Sequence, residues 1–570
     1  MDATQPLPAN LADLTVACLE HLGIEFVFGI PGGHIAALYE ALDRSAHRGG
    51  PRAILARHET GAAYMADGYA RETGKPGVCC ATTGPGVTNL MTGVATAYSD
   101  QVPLLVITAQ TLLPHFGNGA FQESSPDGMD AAGMLACCTR YNTVVTHPAQ
   151  FEQKLMTALH QATCSPGGPV HLSVPVDIYR AAASPSPRYP ARLARLQQPA
   201  LLCDLSAVDA LWQAIVSTRE AGQGVVILAG HDCAGAGEAV LDFATRIQAR
   251  VITSHRGKRW IDAYHPTVRG VFGYAGHESA RAALTDAATG LIIVAGSALG
   301  QWTTANWDTA LLNDRLVHIH SDAGYFSRSP MARLHVQGHT GTVFARLLSH
   351  AATTAAVAPV APIIRRGLPP GIEVRNMAPY RSESVPLHPQ RVLSVLMERF
   401  PADTRYLVDT SCWLPWTLHY FFTTQTDRYR LSSELAAMGW AIGAAVGTAL
   451  AHPQAPVVCL TGDGCYLMFG QEVAVAVAER LPVVFIILND SGYGMVKHRH
   501  RQISDTPLDF ALSPVDFALM AQAVGAEGWV IHTVADLERY MRPECLFNKS
   551  GPTVLDIRID PEASPPTGMF

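Results

Sequence analysis

VVCLTGDG (residues 457–464), answered by LPVVFIILND (residues 481–490), decides the fold. The runs 457–461 and 483–488 have the length and β-branched content of buried parallel strands, and residues 470–480 read as the helical crossover between them. Strands joined in this way deliver Asp463 and Asp490 at neighbouring C-terminal tips, the place where open α/β sheets bind ligands. Backbone N–H groups at Gly464 and Cys465 can face a phosphate there, and the two carboxylates can hold a hard dication against it. The arrangement suits a Mg²⁺-anchored diphosphate.

The same alternation runs along the rest of the chain. Two Pro- and Ala-rich stretches, residues 181–200 (AAASPSPRYPARLARLQQPA) and 355–386, read as extended surface linkers. They divide the 570 residues into pieces 1–180, 190–355 and 375–570. Strand-like runs fall near 26–28, 78–82, 104–108 and 170–174 in the first piece, and near 224–228, 251–252, 291–295 and 316–320 in the second. In the third they fall near 406–408, 457–461, 483–488 and 553–557. Between them lie Ala-rich helical periods, so the expected class is α/β, with three tandem doubly wound parallel-sheet domains.

Composition narrows the function classes. Charged residues are only 16 % and apolar residues 48 %, which argues against disorder and leaves much surface for subunit contacts. The net charge of −7 comes from 41 basic and 48 acidic residues without a Lys/Arg tract, so neither nucleic acid nor a membrane surface is an expected partner. The N-terminal MDATQPLPAN lacks a basic region followed by an apolar core, and no apolar run reaches membrane-spanning length. The twelve cysteines show no CxxC spacing and read as reduced, mostly buried thiols. A cytoplasmic location is expected.

With its spacing, the GDG segment resembles the thiamine diphosphate (ThDP) motif, in which a later pair ends in Asn. Here that pair is Asn489-Asp490. The resemblance implies metal ligation by Asp463, Asp490 and the backbone carbonyl of Gly492. Asp in place of Asn keeps an oxygen ligand, and is more like the catabolic than the biosynthetic acetolactate synthases.

Further segments match the pyrimidine-binding domain of the acetolactate synthase/pyruvate oxidase/benzaldehyde lyase group. They are FGIPGG (28–33), RHETGAAYMADGYAR (57–71), TGPGVTN (83–89) and AFQE (120–123). By its position alone, Glu59 opens an Ala-packed helix and could be a capping carboxylate. The resemblance instead makes it the buried acid that protonates the aminopyrimidine of ThDP. It also implies close approach of Pro31 and Gly32 to the cofactor ring, and contacts from Asn89 and Phe121. Gln122 is implied as a catalytic residue beside the reacting carbon. His34 aligns with a working histidine of benzaldehyde lyase-like enzymes; a helix-capping histidine is the plain alternative.

In the third domain the segment SSELAAMGWAIGAAVG (432–447) reads as one small-residue helix, with Met438 matching the bulky residue that bends ThDP. Gly464, Cys465, Tyr493 and Gly494 match residues that present backbone N–H groups to the diphosphate. The chain departs from the synthases at DTSCWLPW (409–416), where Cys412-Trp413 replaces a Gln-His pair. It departs again at KHRHR (497–501), where Arg499 replaces the Trp that selects the acceptor. A cation there would favour an anionic acceptor, whereas the rest of the run reads as a solvated helix face. In the central domain, TVRGVFGYAGHESARAA (267–283) looks like a flavin-contacting segment, but GSALGQWTTANW (296–307) lacks the family's Arg/Asp pattern. Two readings stay open, a structural FAD and a domain of the same shape without one.

The implied activity is an acetolactate synthase-like carboligase that decarboxylates a 2-oxoacid such as pyruvate and adds the product to a second carbonyl compound. A benzaldehyde lyase-like cleavage of acyloins or diketones, and simple 2-oxoacid decarboxylation, are the alternatives. The family's cleft forms between subunits, which implies a homo-oligomer, at least a dimer and by preference a tetramer.

Overall fold

The computed structural model describes residues 8–184, 201–352, 363, 365, 367–506 and 508–566. The expected linkers at 181–200 and 355–386 lie partly outside these residues. Three six-stranded parallel sheets follow one another along the chain. The first holds β1 (Phe26–Gly29), β2 (Arg52–Leu55), β3 (Gly77–Ala81), β4 (Leu104–Gln110), β5 (Tyr141–Val144) and β6 (Pro169–Pro175). The second holds β7 (Gly224–Ala229), β8 (Arg250–Thr253), β9 (Val268–Val271), β10 (Thr289–Ala295), β11 (Leu316–His320) and β12 (Leu334–Gln337). The third holds β13 (Arg405–Val408), β14 (Tyr429–Leu431), β15 (Val457–Gly462), β16 (Val483–Asn489), β17 (Glu527–Ile531) and β18 (Thr553–Arg558).

The first and third sheets share one topology, β2-β1-β3-β4-β6-β5 and β14-β13-β15-β16-β18-β17. Strand order reverses between β1 and β3, and between β13 and β15, so each sheet opens a crevice at the C-terminal ends of those strands. The central sheet runs β12-β11-β10-β7-β8-β9 and reverses between β7 and β10. In the third sheet β15 and β16 pair with Gly462 opposite Leu488. The next residues in each strand's path, Asp463 and Asn489-Asp490, therefore reach the same edge of the sheet.

Two local expectations need correction. The crossover after β15 starts earlier than residue 470, because Asp463 is itself the first residue of a helix, Asp463–Phe469. The stretch 432–447 is not one helix. Helix Trp440–Ala451 begins only after Gly439, whose φ of +85° breaks the regular backbone. Met438 thus stands on an irregular segment that a helix could not aim.

Helix Glu59–Thr73 of the first domain packs on helix Trp440–Ala451 of the third, and their small residues share one hydrophobic core. A Cβ on Gly447 would lie 1.9 Å from the Met65 carbonyl oxygen, and one on Gly68 would lie 2.1 Å from that of Ala444. Trp440 Nε1 donates to Asp67 at 2.9 Å, and Arg71 bridges Asp67 and Asp100 at 2.6 Å each. The Arg71 guanidinium also covers the Trp440 ring at 4.9 Å. These buried charges are paired, as burial requires. Among the described residues no helix is long and apolar enough to cross a membrane. Gly447→Val should destabilise the chain by about 1–3 kcal/mol through overpacking. Gly33→Ala, where a Cβ meets nothing within 4 Å, should leave the unfolding midpoint in place; equal midpoints for both variants in thermal denaturation would contradict the packing.

Candidate active site

Eight of the expected residues surround one cavity of about 250 Å³ at the β13/β15 crevice: Met438, Asp463, Gly464, Cys465, Asp490, Gly492, Tyr493 and Gly494. Asp463 receives N–H groups from Gly464 at 2.7 Å and Gly492 at 3.0 Å, which fixes its carboxylate against the turn after β16. Burial pushes its pKa up to about 6. Burial, together with the Asp463 charge, pushes Asp490 up to about 7. Two neighbouring carboxylates whose pKa values burial raises are an incomplete charge pair that a dication would complete.

Among the described residues no group of three or more His, Cys, Asp or Glu side chains is placed to hold a metal. Mg²⁺ is suited to such a site, because it binds through one or two carboxylates and completes its shell with phosphate and water oxygens. The cavity has room for the rest of the cofactor. A Cβ on Gly464 would lie 2.9 Å from Tyr493 Cε1 and 3.3 Å from Met438 Cε, so only glycine leaves that floor open. A Cβ on Gly494 would lie 2.2 Å from Asp490 Oδ2. The residues present fit a Mg²⁺-bound diphosphate.

Two expected contacts are corrected. The Gly464 N–H is taken by the Asp463 carboxylate at 2.7 Å. The Tyr493 N–H is already donated to the Phe510 carbonyl at 3.0 Å, which closes the strand-like bridge between Gly492 and Ala511. Tyr493 therefore lines the cavity with its ring rather than with its amide. Asn489 faces away, donating to Asp556 at 2.8 Å while its side-chain oxygen accepts the Ser491 N–H at 3.1 Å. Of Cys412 and Trp413, only the cysteine lines the cavity; Trp413 is fully buried in the core. Burial, with the nearby Asp490 and Asp463 charges, holds the Cys412 thiol well above its ordinary pKa.

The first-domain residues form a second group. Glu59 is the first residue of its helix, 8 % exposed, and accepts from Asn89 Nδ2 at 2.9 Å. Its other oxygen lies 3.5 Å from where a Cβ on Gly86 would be. Asn89 thus holds Glu59. Phe121 and Gln122 are placed by a buried polar knot. Thr83 Oγ1 donates to the Gln122 carbonyl at 2.9 Å, and Gln110 Oε1 accepts the Ser124 N–H at 3.2 Å. Gly32 packs on Thr82, since a Cβ there would lie 2.6 Å from its side chain. Pro31 is exposed beside it. His34 lies on the turn Gly33–Ile35, half-buried, with its pKa lowered by burial.

Neither Glu59, Asn89, Phe121, Gln122 nor His34 lines the Asp463 cavity, which is built from residues 410–559 alone. Phe121 is 78 % exposed. One chain carries two half-sites and does not join them. Arg499 is exposed on helix Gly494–Ile503 and reaches Gln502 at 3.4 Å. The solvated face expected around it is only partial. Lys497 and Arg501 pair with Glu562, and His498 is buried.

Asp409 and Glu472 had not been singled out. Asp409, fully buried at the end of β13, accepts the Gly439 N–H at 3.0 Å and the Thr461 hydroxyl at 2.8 Å. It therefore pins the turn next to Met438. Glu472, also fully buried, accepts the Arg57 N–H at 3.1–3.2 Å and sits where a Cβ on Gly61 would collide with it. A lone acid in an apolar stretch was the available signal, and it does not separate an anchor from a ligand.

Family comparison decides the assignment. Residues 9–131, 211–347 and 409–557 match, in turn, the N-terminal TPP binding domain, the central domain and the C-terminal TPP binding domain of thiamine pyrophosphate enzymes. The chain belongs to the thiamine pyrophosphate enzyme family. It is 29 % identical to the probable acetolactate synthase large subunit of Methanocaldococcus jannaschii, over 97 % of this chain and 93 % of that one. It is 28 % identical to the acetolactate synthase isozyme 2 large subunit of Escherichia coli, over 97 % and 96 %. A probable 2-ketoarginine decarboxylase of Pseudomonas aeruginosa is 30 % identical, over 95 % and 93 %. The chain is thus an acetolactate synthase-like, thiamine diphosphate-dependent enzyme. In its central domain, residues 296–307 carry no charged side chain.

Burial raises the Glu472 pKa from 4.5 to about 7, against the opposing N–H groups of Arg57 and His58. The folded state therefore favours the protonated acid. The stability this contributes is complete below about pH 4.5 and is lost as pH rises through about 7, a swing of at most about 3 kcal/mol. Glu472→Gln should raise its unfolding midpoint relative to the parent progressively across that window. A pH-independent difference in calorimetry would contradict the assignment.

Proposed function

We propose that the chain is a Mg²⁺- and thiamine diphosphate-dependent carboligase that decarboxylates a 2-oxoacid, with pyruvate as leading donor, and joins the product to a second carbonyl compound. The observation that carries this reading is the Asp463–Asp490 pair beside Gly464 and Met438 in one cavity. Bound thiamine diphosphate supplies a nucleophilic carbon and an electron sink. Asp463, Asp490 and the Gly492 carbonyl would hold Mg²⁺ and through it the diphosphate, and Met438 would pack against the cofactor. Glu59, steadied by Asn89, would share a proton with the pyrimidine ring. Gln122 orients the carbonyl group, and Phe121 excludes water above it. Arg499 binds the carboxylate of the acceptor.

Both half-sites operate only when a second copy supplies the missing one, so the working unit is at least a homodimer. Apolar exposure at Phe121, Leu435, Leu467, Met468 and Val496 supports this. Simple decarboxylation is the second reading, supported by the similarity to the probable 2-ketoarginine decarboxylase. The lyase reading rests on His34, which does not line the cavity.

With Mg²⁺, thiamine diphosphate and pyruvate, mass spectrometry should detect CO₂ and acetolactate. Glu59→Gln should lower CO₂ release by about a hundredfold or more. CO₂ without acetolactate would favour the decarboxylase, and no CO₂ would reject pyruvate as donor. Arg499→Ala should raise the KM for an anionic acceptor several-fold, roughly the loss of one charge-assisted contact; an unchanged KM would remove Arg499 from the site.

A further inference from the structure

In the central sheet, the crevice between β7 and β10 is where a dinucleotide would be expected. There the chain binds itself. The Gly230 N–H donates to the Ala295 carbonyl at 2.8 Å and the Asp232 N–H to that of Gly296 at 2.9 Å. A Cβ on Gly230 would lie 2.2 Å from the Gly296 oxygen. Asp232 Oδ2 is buried with no hydrogen-bond partner among the described residues. A cavity of about 300 Å³ remains at these strand ends.

Beyond β9 and β10, aromatic rings fill the space. Trp302 stacks on Tyr274 with centroids 4.5 Å apart and planes at 21°, and the Tyr274 N–H donates to the Trp302 carbonyl at 2.9 Å. His255 meets the edge of Trp302 at 5.6 Å. These residues belong to the central domain, yet Tyr274 is part of the third domain's hydrophobic core and Trp302 packs against it. His255 Nε2 hydrogen-bonds Ser433 Oγ at 3.0 Å, and the adjacent Arg256 pairs with Glu434 at 3.2 Å. Ser433 and Glu434 begin the irregular segment whose far end, Gly439, is tied to Asp409. Met438 is held between these two anchors.

We infer that this chain has closed its flavin crevice with its own Trp302, Tyr274 and His255, and that this closure positions the segment 432–439 so that Met438 meets the cofactor. His255, Arg256 and Trp302 are positioning residues, acting through Ser433 and Glu434. The inference rests on the thiamine diphosphate reading of the Asp463 cavity.

The full-length chain, purified without added flavin, should be colourless and should show no saturable binding when titrated with FAD by flavin fluorescence. A yellow protein or saturable binding would overturn the closure. Thiamine diphosphate affinity, measured by titration calorimetry in excess Mg²⁺, should weaken about tenfold in Trp302→Ala and in Glu434→Gln. Trp302→Phe should restore it. Glu434→Gln removes only a partly exposed ion pair and keeps the test open if Trp302→Ala fails to fold. Folded variants with the parent's affinity would overturn the positioning role alone. A parent chain that binds no thiamine diphosphate would overturn the cofactor reading, and this inference with it.

Discussion

Contact between helix Glu59–Thr73 and helix Trp440–Ala451 governs the arrangement of everything else. At Gly68, Gly443 and Gly447 one helix meets the other at distances no Cβ could share. The two thiamine-family domains of one chain are therefore fused back to back through a dry core. That fusion fixes Glu59 at one end of the interface and seals it with the buried Asp67–Arg71–Asp100 array. It also leaves Glu59 and Asp463 of one chain in two groups of residues that do not share a cavity.

Electrostatics then explain why the two halves differ. The diphosphate half collects carboxylates whose pKa values burial has raised, so it is prepared for a cation and poor without one. Glu59, by contrast, is steadied by a neutral amide, Asn89, and leaves one oxygen over the small residues near Gly86. The central domain contributes aromatic packing and several polar contacts that reach into the third domain, among them His255 to Ser433, Arg256 to Glu434, Lys258 to the Thr417 and Leu418 carbonyls, and Arg259 to Asp427.

Much of this was legible from sequence where buried strands announce themselves. The central strands of all three sheets coincide with apolar β-branched runs, and the GDG spacing placed Asp463 and Asp490 together before any coordinates. Six strands were missed, and all six are sheet edges: β2, β5, β9, β12, β14 and β17. β2, β12 and β17 carry exposed positions, β5 is only half-buried throughout, polar or small residues interrupt β9, and β14 is only three residues long, so none makes a continuous apolar run. The errors within the site are of the same kind. That the Tyr493 N–H is spent on Phe510, and that residues 432–439 are not helical, depends on hydrogen bonds to residues far along the chain or on the φ of one glycine. Local pattern carries neither. Asp409 and Glu472 escaped notice because an acid at a strand end and an acid in a helical stretch look alike whether they bind ligands or hold backbone.

The central claim is that every active site is assembled from Glu59 of one copy and Asp463 of another. Mixing two inactive chains, Glu59→Gln and Asp463→Asn, after dissociation and reassociation tests it directly. A shared site predicts that the mixed dimers regain one intact site of two, and random pairing should then return about a quarter of the parent's CO₂ release. No recovery from reassociated, folded dimers would contradict the account, and would mean that one chain joins its own half-sites.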